Sequence, residues 1–182
     1  MKSTLYILIL FTLQFSLAQD SLSTKTIIPW TKDVKLNWVD FKGSPNTNIL
    51  AYAQTSYKID IFPTEVNVDT NNNIQNFESL HVVANFYTNH SWVYRESDYL
   101  LKHEQLHFDI AGLYALKINK EFKKLIANKN ANFDSYFDIY QNLWAKCRET
   151  QKQYDSETQH GQLVAENDEW IKKINAEIEM HL

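Results

Sequence analysis

Cysteine is almost absent from this sequence, because Cys147 is the only one among its 182 residues. A single thiol cannot form a disulfide bond within the chain, so the fold must be stabilised by packing and by any metal that it binds. Unpaired cysteine is among the most frequently buried residue types. We therefore expect Cys147 to be a small, buried, apolar group.

Basic residues are also fewer than acidic ones: the chain has 18 Lys and Arg residues, 22 Asp and Glu residues and a net charge of −4. A nucleic acid is therefore not an expected partner. The one long apolar run, from Leu5 to Phe15, is too short to span a membrane comfortably. It follows Lys2 and precedes small residues at Ser16 and Ala18. This pattern predicts a signal peptide over residues 1–18, cleaved after Ala18.

The mature chain, residues 19–182, is long enough for one domain with a hydrophobic core. We expect it to be exported to the periplasm or the cell exterior, without stable insertion in the membrane. Patterns of alternating apolar residues come first and helical patterns follow, which indicates an α+β fold. The strands are predicted to form a mainly antiparallel sheet that packs on two long helices, and a third helix follows. The predicted strands cover 34–38, 49–62 and 79–88, and the predicted helices cover about 97–126, 134–161 and 170–178.

The first long helix contains the pattern His-Glu-x-x-His at residues 103–107. Chance alone would give about 0.01 such matches at this length and composition. Residues four apart lie one turn above each other on a helix, so His103 and His107 can direct both imidazoles at one metal ion. Glu104 lies about 100° further round the helix, where it can reach a water on that ion without being a ligand. This is the position of a general base.

A catalytic zinc ion needs a third protein ligand. Asp109 lies about 200° round the helix from His107 and therefore has a structural role, whereas Glu121 lies about 27 Å along the helix from His103. An antiparallel second helix would bring its C-terminal end, residues 154–161, back towards His103. That segment offers His160, which is favoured because Gly161 frees the backbone beside it, and Glu157 as the rival ligand.

The same segment supplies further candidates around the metal. Tyr154 is either a hydrogen-bond donor to a developing oxyanion or a residue of the apolar helix stripe, in which Gln151 is one polar gap. A ligand histidine also needs an acceptor for its second N–H group, and Asp155, Glu157 or Thr158 can provide it. The sequence leaves that choice open.

Residues 103–111 and 154–161 together resemble the bacterial domain-of-unknown-function family 922, whose members are described as predicted secreted zinc-dependent proteases. The segments 36–43, 53–55 and 91–92 are also similar to that family, so the resemblance covers about 34–178. It implies a zincin-like fold and a peptidase activity.

The resulting expectation is a zinc metallopeptidase with one Zn²⁺ ion per chain and a peptide or protein as its substrate. His103, His107 and His160 would hold the ion, and Glu104 would take a proton from the attacking water. Two alternatives are a zinc-stabilised binding module without catalysis, which would not require Glu104, and a metal-dependent amidase that acts on cell-wall peptides.

Overall fold

The computed structural model describes residues 26–49 and 51–182, and these form an α+β fold with an N-terminal antiparallel sheet and three helices. This is the predicted fold class. The predicted signal peptide lies outside the described residues. Within the described ranges, no helix combines the length and the apolar character that a membrane span requires.

Five short strands form two antiparallel sheets. They are β1 (Ile27–Pro29), β2 (Ala53–Gln54), β3 (Tyr57–Phe62), β4 (His81–Tyr87) and β5 (Trp92–Val93). The larger sheet has the order β1-β4-β3, and the smaller one pairs β2 with β5. Ile59 is paired with Ala84, and both are buried because this side of the sheet faces the helices.

Two strand predictions need correction. Residues 34–37 do not form a strand, and a 3₁₀ helix, Trp38–Asp40, follows them. The Leu36 amide donates to the side chain of Gln105 at 2.8 Å, and the Asn37 amide donates to the side chain of Asp40 at 2.9 Å. These two backbone amides are therefore satisfied by side chains and not by a neighbouring strand. The predicted strand over 49–62 is divided into β2 and β3. The predicted strand over 79–88 is confirmed as β4.

Three helices follow the strands, namely α1 (Asp98–Ala127), α2 (Phe133–Thr158) and α3 (Val164–Glu179). Ser97 caps α1 as predicted, because its side chain accepts a hydrogen bond from the Leu100 amide at 3.1 Å. The Asn132 side chain caps α2 in the same way. The first two helices are therefore correctly located by sequence to within a few residues, and α3 begins earlier than expected.

The core lies between α1, α2, α3 and the inner side of β3 and β4. Its most buried members include Ile110, Ile118 and Ile174. Cys147 is fully buried in the same cluster, as predicted, and burial raises the pKa of its thiol to about 12. This cysteine is therefore a packing residue.

The N-terminal segment docks on α1 through Trp30. Its indole ring lies against Gly112, where an added Cβ atom would be 2.2 Å from ring carbon Cδ2. The indole N–H donates to Asp109 Oδ1 at 2.9 Å, and the Gln105 side chain donates to the same oxygen. The structural role predicted for Asp109 is thereby confirmed. These contacts fix the outer side of the helix that carries the histidines.

Candidate metal centre

His103 and His107 lie on the side of α1 that faces α2, as the four-residue spacing predicts. Their Nε2 atoms are 3.1 Å apart, and the two rings are nearly perpendicular, with an angle of 86° between their planes. His103 is almost fully buried at 2% exposure. The two Nε2 atoms thus lie close together on the wall of a cavity.

Asp155 of α2 completes a group of three possible ligand atoms. Its Oδ1 atom is 3.3 Å from His103 Nε2 and 3.1 Å from His107 Nε2. Two ligands bound tetrahedrally to zinc at 2.0–2.1 Å are about 3.3–3.4 Å apart, so this spacing fits such an ion. Burial would raise the pKa of the Asp155 carboxyl, but hydrogen bonds from the two histidines hold it well below its usual range. The carboxylate is therefore ionised at neutral pH.

Gln151, one turn before Asp155 on α2, determines the tautomer of His107. Its Nε2 atom donates to the His107 carbonyl oxygen at 2.8 Å, which leaves Oε1 as an acceptor 2.5 Å from His107 Nδ1. His107 must therefore donate from Nδ1 when neutral, and its Nε2 lone pair is free for a metal. Burial disfavours the charged form of His107, but the Asp155 hydrogen bond and nearby carboxylates outweigh it and raise the ring's pKa.

Glu104 is 3% exposed, and its Oε2 atom has no hydrogen-bond partner among the described residues. The Thr55 hydroxyl donates to the Glu104 carbonyl oxygen at 3.1 Å and so joins α1 to the segment after β2. A buried carboxylate oxygen without a partner is costly unless a water, a proton or a ligand completes its environment. Glu104 lines the cavity and is the general-base candidate.

The segment after α2 has an unusual backbone, with positive φ angles at Gln159, His160 and Gly161. A Cβ atom at Gly161 would lie 2.8 Å from Cγ of His103, so only glycine permits this close approach. His160 Nδ1 is 3.4 Å from Asp155 Oδ1, and the side chain is 69% exposed. His160 lies beside the group of three, on its solvent side.

The segment predicted to supply a third ligand, residues 154–161, does lie beside the two histidines. Its closest approach to both Nε2 atoms is made by Asp155, for which the sequence predicts only the role of acceptor for a ligand histidine. Glu157, the rival ligand, is directed towards α3, where it accepts a hydrogen bond from the Trp170 indole at 2.8 Å. It is not one of the residues that line the cavity.

Tyr154 lies behind the histidines. Its ring stacks on His103 with 4.6 Å between centroids, and it is fully buried. Its hydroxyl donates to the side chain of Asn167 and lies 3.3 Å from the His103 carbonyl oxygen. The cavity beside the histidines is lined by two other tyrosines, Tyr52 and, from β3, Tyr57. This arrangement corresponds to the packing alternative for Tyr154.

The cavity has a volume of about 350 Å³ and is open to solvent. One wall carries Glu104, the two histidines, Asp155 and His160, and the facing wall comes from Ile49, residues 51–55 and Tyr57. We call this space the metal cavity. Its size lies within the usual range for small-ligand sites, roughly 300–1,000 Å³.

A family model described as a bacterial protein of unknown function (DUF922) matches residues 64–161, which is more than half of the chain. The chain belongs to this family. No curated protein and no solved structure matches it significantly. In this DUF922 protein the match ends at Gly161 and includes both histidines, Glu104 and Asp155, whereas the facing wall of the metal cavity lies outside the matched residues.

Sequence reasoning missed two residues of the DUF922 site. In the sequence, Gln151 is a single polar gap in the apolar stripe of the second helix. A buried side-chain amide needs hydrogen-bond partners, so its place one turn before a polar cluster could have indicated that it contacts a residue of the site. Tyr57 was assigned to a strand face, and its place in the cavity follows from the packing of β3 on α2. That packing leaves no local pattern in the sequence.

Proposed function

We propose that this DUF922 protein is an exported zinc-dependent peptidase. The observation that carries the proposal is the convergence of His103 Nε2, His107 Nε2 and Asp155 Oδ1 within 3.1–3.3 Å of one another, on the wall of an open cavity that also contains Glu104. These nitrogen and carboxylate donors suit zinc, and three protein ligands leave one position for water or substrate. Zinc, when bound, would lower the pKa of a water and polarise a substrate carbonyl.

In this proposal, His103, His107 and Asp155 hold the ion, and His160 stays a candidate for a further ligand. Gln151 supports the site because it keeps the Nδ1 proton on His107 and the lone pair on Nε2. The pair resembles the arrangements in which an outer carbonyl or carboxylate orients a ligand histidine. His160 Nδ1 is 3.4 Å from Asp155 Oδ1, which places it next to the three donor atoms.

Glu104 would act as the general base. The residue lines the metal cavity, its Oε2 atom has no hydrogen-bond partner among the described residues, and its carboxylate could accept a proton from a water that attacks a peptide carbonyl. The same carboxyl can then return the proton to the departing amine. A binding module with structural zinc would gain nothing from a buried carboxylate oxygen without a partner, so Glu104 favours catalysis over that alternative.

Metal titration and peptide cleavage test the proposal together. Purified mature protein should bind one zinc ion, and the zinc-loaded protein should cleave members of a mixed peptide library, as detected by mass spectrometry. Glu104→Gln should keep the metal and lose activity by about 10²–10⁴-fold, the usual loss on removal of a general base. Glu149→Gln, an exposed substitution on α2, is the matched control. Zinc binding without cleavage of any peptide by the wild type would contradict the peptidase assignment.

A further inference from the structure

A second cavity, of about 360 Å³, adjoins the metal cavity. The two share four lining residues, which are Ile49, Ala51, Tyr52 and Gln162. The two cavities are therefore immediate neighbours. We call it the aromatic cavity, because Tyr52, Trp92 and Tyr94 line it.

Apolar surface is concentrated here. Ile49, Tyr52 and Tyr94 are 43%, 53% and 67% exposed, and all three line this one cavity. Exposing large apolar groups to water is unfavourable, and a local cluster of them commonly marks a binding site. In the described part of the chain, the lining of this cavity includes no charged side chain, whereas the metal cavity contains two carboxylates and three histidines.

The rings are held in place by the small sheet. Trp92 is 4% exposed, and its indole N–H donates to Gln54 Oε1 at 3.0 Å across the β2-β5 pair. The Tyr94 amide donates to the Tyr52 carbonyl oxygen at 2.6 Å. The guanidinium of Arg95 lies 5.9 Å from the centre of the Tyr52 ring. Because these contacts hold Trp92 and the backbone of Tyr52 and Tyr94 in place, a ligand would order few groups of the protein when it binds, and the entropic cost of binding would be low.

We infer that the aromatic cavity is a specificity subsite that accepts one large neutral side chain, aromatic or aliphatic, of the peptide bound in the metal cavity. The inference rests on the proposed function, since it assigns the substrate preference of the same site. Uncharged walls disfavour a desolvated carboxylate or ammonium group, and exposed aromatic rings favour apolar or aromatic groups.

The experiment uses blocked alanine hexapeptides in which one position, each in turn, is Phe, Asp or Lys. Binding to the zinc-loaded Glu104→Gln protein is measured by calorimetry, and cleavage by the zinc-loaded wild type is measured by mass spectrometry. We expect a Phe peptide to bind at least about 10-fold more tightly than its Asp and Lys counterparts, because burial of a side chain of this size changes affinity by that order.

Substitutions of the two exposed tyrosines of the aromatic cavity test whether the Phe side chain binds there. Tyr94→Ala should reduce the Phe preference by about 5- to 10-fold and leave affinity for an all-alanine peptide unchanged, whereas Tyr52→Ala, which also alters the metal cavity, should reduce the Phe preference by a similar factor. Phe137→Ala is the matched control, since Phe137 is 46% exposed but lies about 27 Å along α2 from Asp155. Thermal unfolding of each variant shows whether it is folded. Equal affinity for all peptides, or a Phe preference that survives both tyrosine substitutions, would overturn the inference.

The two proposals fail in different ways. Cleavage by the wild type without a Phe preference would leave the peptidase assignment intact and refute the subsite. A Phe preference in binding, without cleavage by the wild type, would support an apolar subsite and refute the peptidase. A trimer of N-acetylglucosamine is included as a carbohydrate probe. If it binds in competition with no peptide preference, the exposed rings serve a glycan and the inference is wrong.

Discussion

The side-chain amide of Gln151 contacts His107 twice, once at the imidazole Nδ1 atom and once at the backbone carbonyl oxygen of the same residue. Both contacts cross from α2 to α1. The pair therefore couples the orientation of the His107 ring to the register of the two helices. It also makes the amide group, rather than any charged residue, the partner of Nδ1 that selects the tautomer of the neutral ring.

Removing this amide should weaken metal binding. Gln151→Leu keeps a helix-forming side chain of similar size but leaves His107 Nδ1 without its acceptor. We expect zinc affinity to fall by about 10- to 100-fold, the usual effect of losing a group that orients a metal ligand. Competition with a chromophoric chelator measures it. Gln141→Leu, an exposed change on the same helix, is the control. Equal zinc affinity in both variants would show that Gln151 has only a packing role.

Zinc titration of Asp155→Ala and His160→Ala should decide which side chain is the third ligand. The geometry predicts that Asp155→Ala abolishes tight binding, because Asp155 is the residue closest to both Nε2 atoms. His160→Ala should weaken binding less, and Glu157→Ala, which faces Trp170, should leave it unchanged. The opposite order for the first two variants would establish His160 as the ligand that the sequence predicts.

Tyr154→Phe should mainly affect stability. The hydroxyl is buried and hydrogen-bonded to Asn167, so its removal leaves a buried amide oxygen without its donor. A loss of about 1–3 kcal/mol in the free energy of unfolding is expected for the zinc-free protein, measured by denaturant titration. Tyr57→Phe is the comparison, because Tyr57 lines the cavity. A large loss of activity in Tyr154→Phe at unchanged stability would instead support the role of oxyanion donor.

The substitution Gly112→Ala should have two opposing effects on stability, one through helix propensity and one through packing. Alanine favours a helix by about 1 kcal/mol over glycine. The added Cβ atom, however, would lie 2.2 Å from the Trp30 ring, and overpacking of this kind typically costs about 1–3 kcal/mol or more. We expect net destabilisation in thermal and denaturant unfolding. In a Trp30→Ala background the same substitution should be neutral or stabilising, and additive effects of the two changes would exclude the clash as the cause.

The elements that could be predicted from the sequence are those defined by residues close together in the chain. Ser97 marks the start of α1, and the four-residue spacing of His103 and His107 places both on one side of it, without reference to the rest of the chain. The strand over 79–88 was equally clear, because its alternate residues are buried against the helices. The first predicted strand failed because the backbone amides of Leu36 and Asn37 donate to the side chains of Gln105 and Asp40, and these hydrogen bonds, the first of them long-range, replace those of a ladder.

The choice between Asp155 and His160 depended on tertiary structure. Both residues lie in the predicted segment, but which of them reaches the histidines is set by the register of α2 against α1 and by the left-handed backbone that begins at Gln159. Non-glycine residues seldom adopt positive φ angles, so a sequence pattern gives little warning of two in succession. Tyr57 and the aromatic cavity arise in the same way, from packing between distant segments.

The location of the three donor atoms also bears on how a protein with a single cysteine, and so without an internal disulfide, could resist unfolding. A metal held by His103, His107 and Asp155 would tie two helices together and close a loop of about 50 residues, which in chain-entropy terms corresponds to a cross-link worth about 4 kcal/mol. Unlike a disulfide, such a cross-link would be reversible and would depend on the free zinc concentration. The time for which the chain stays folded would then depend on the concentration of zinc around it.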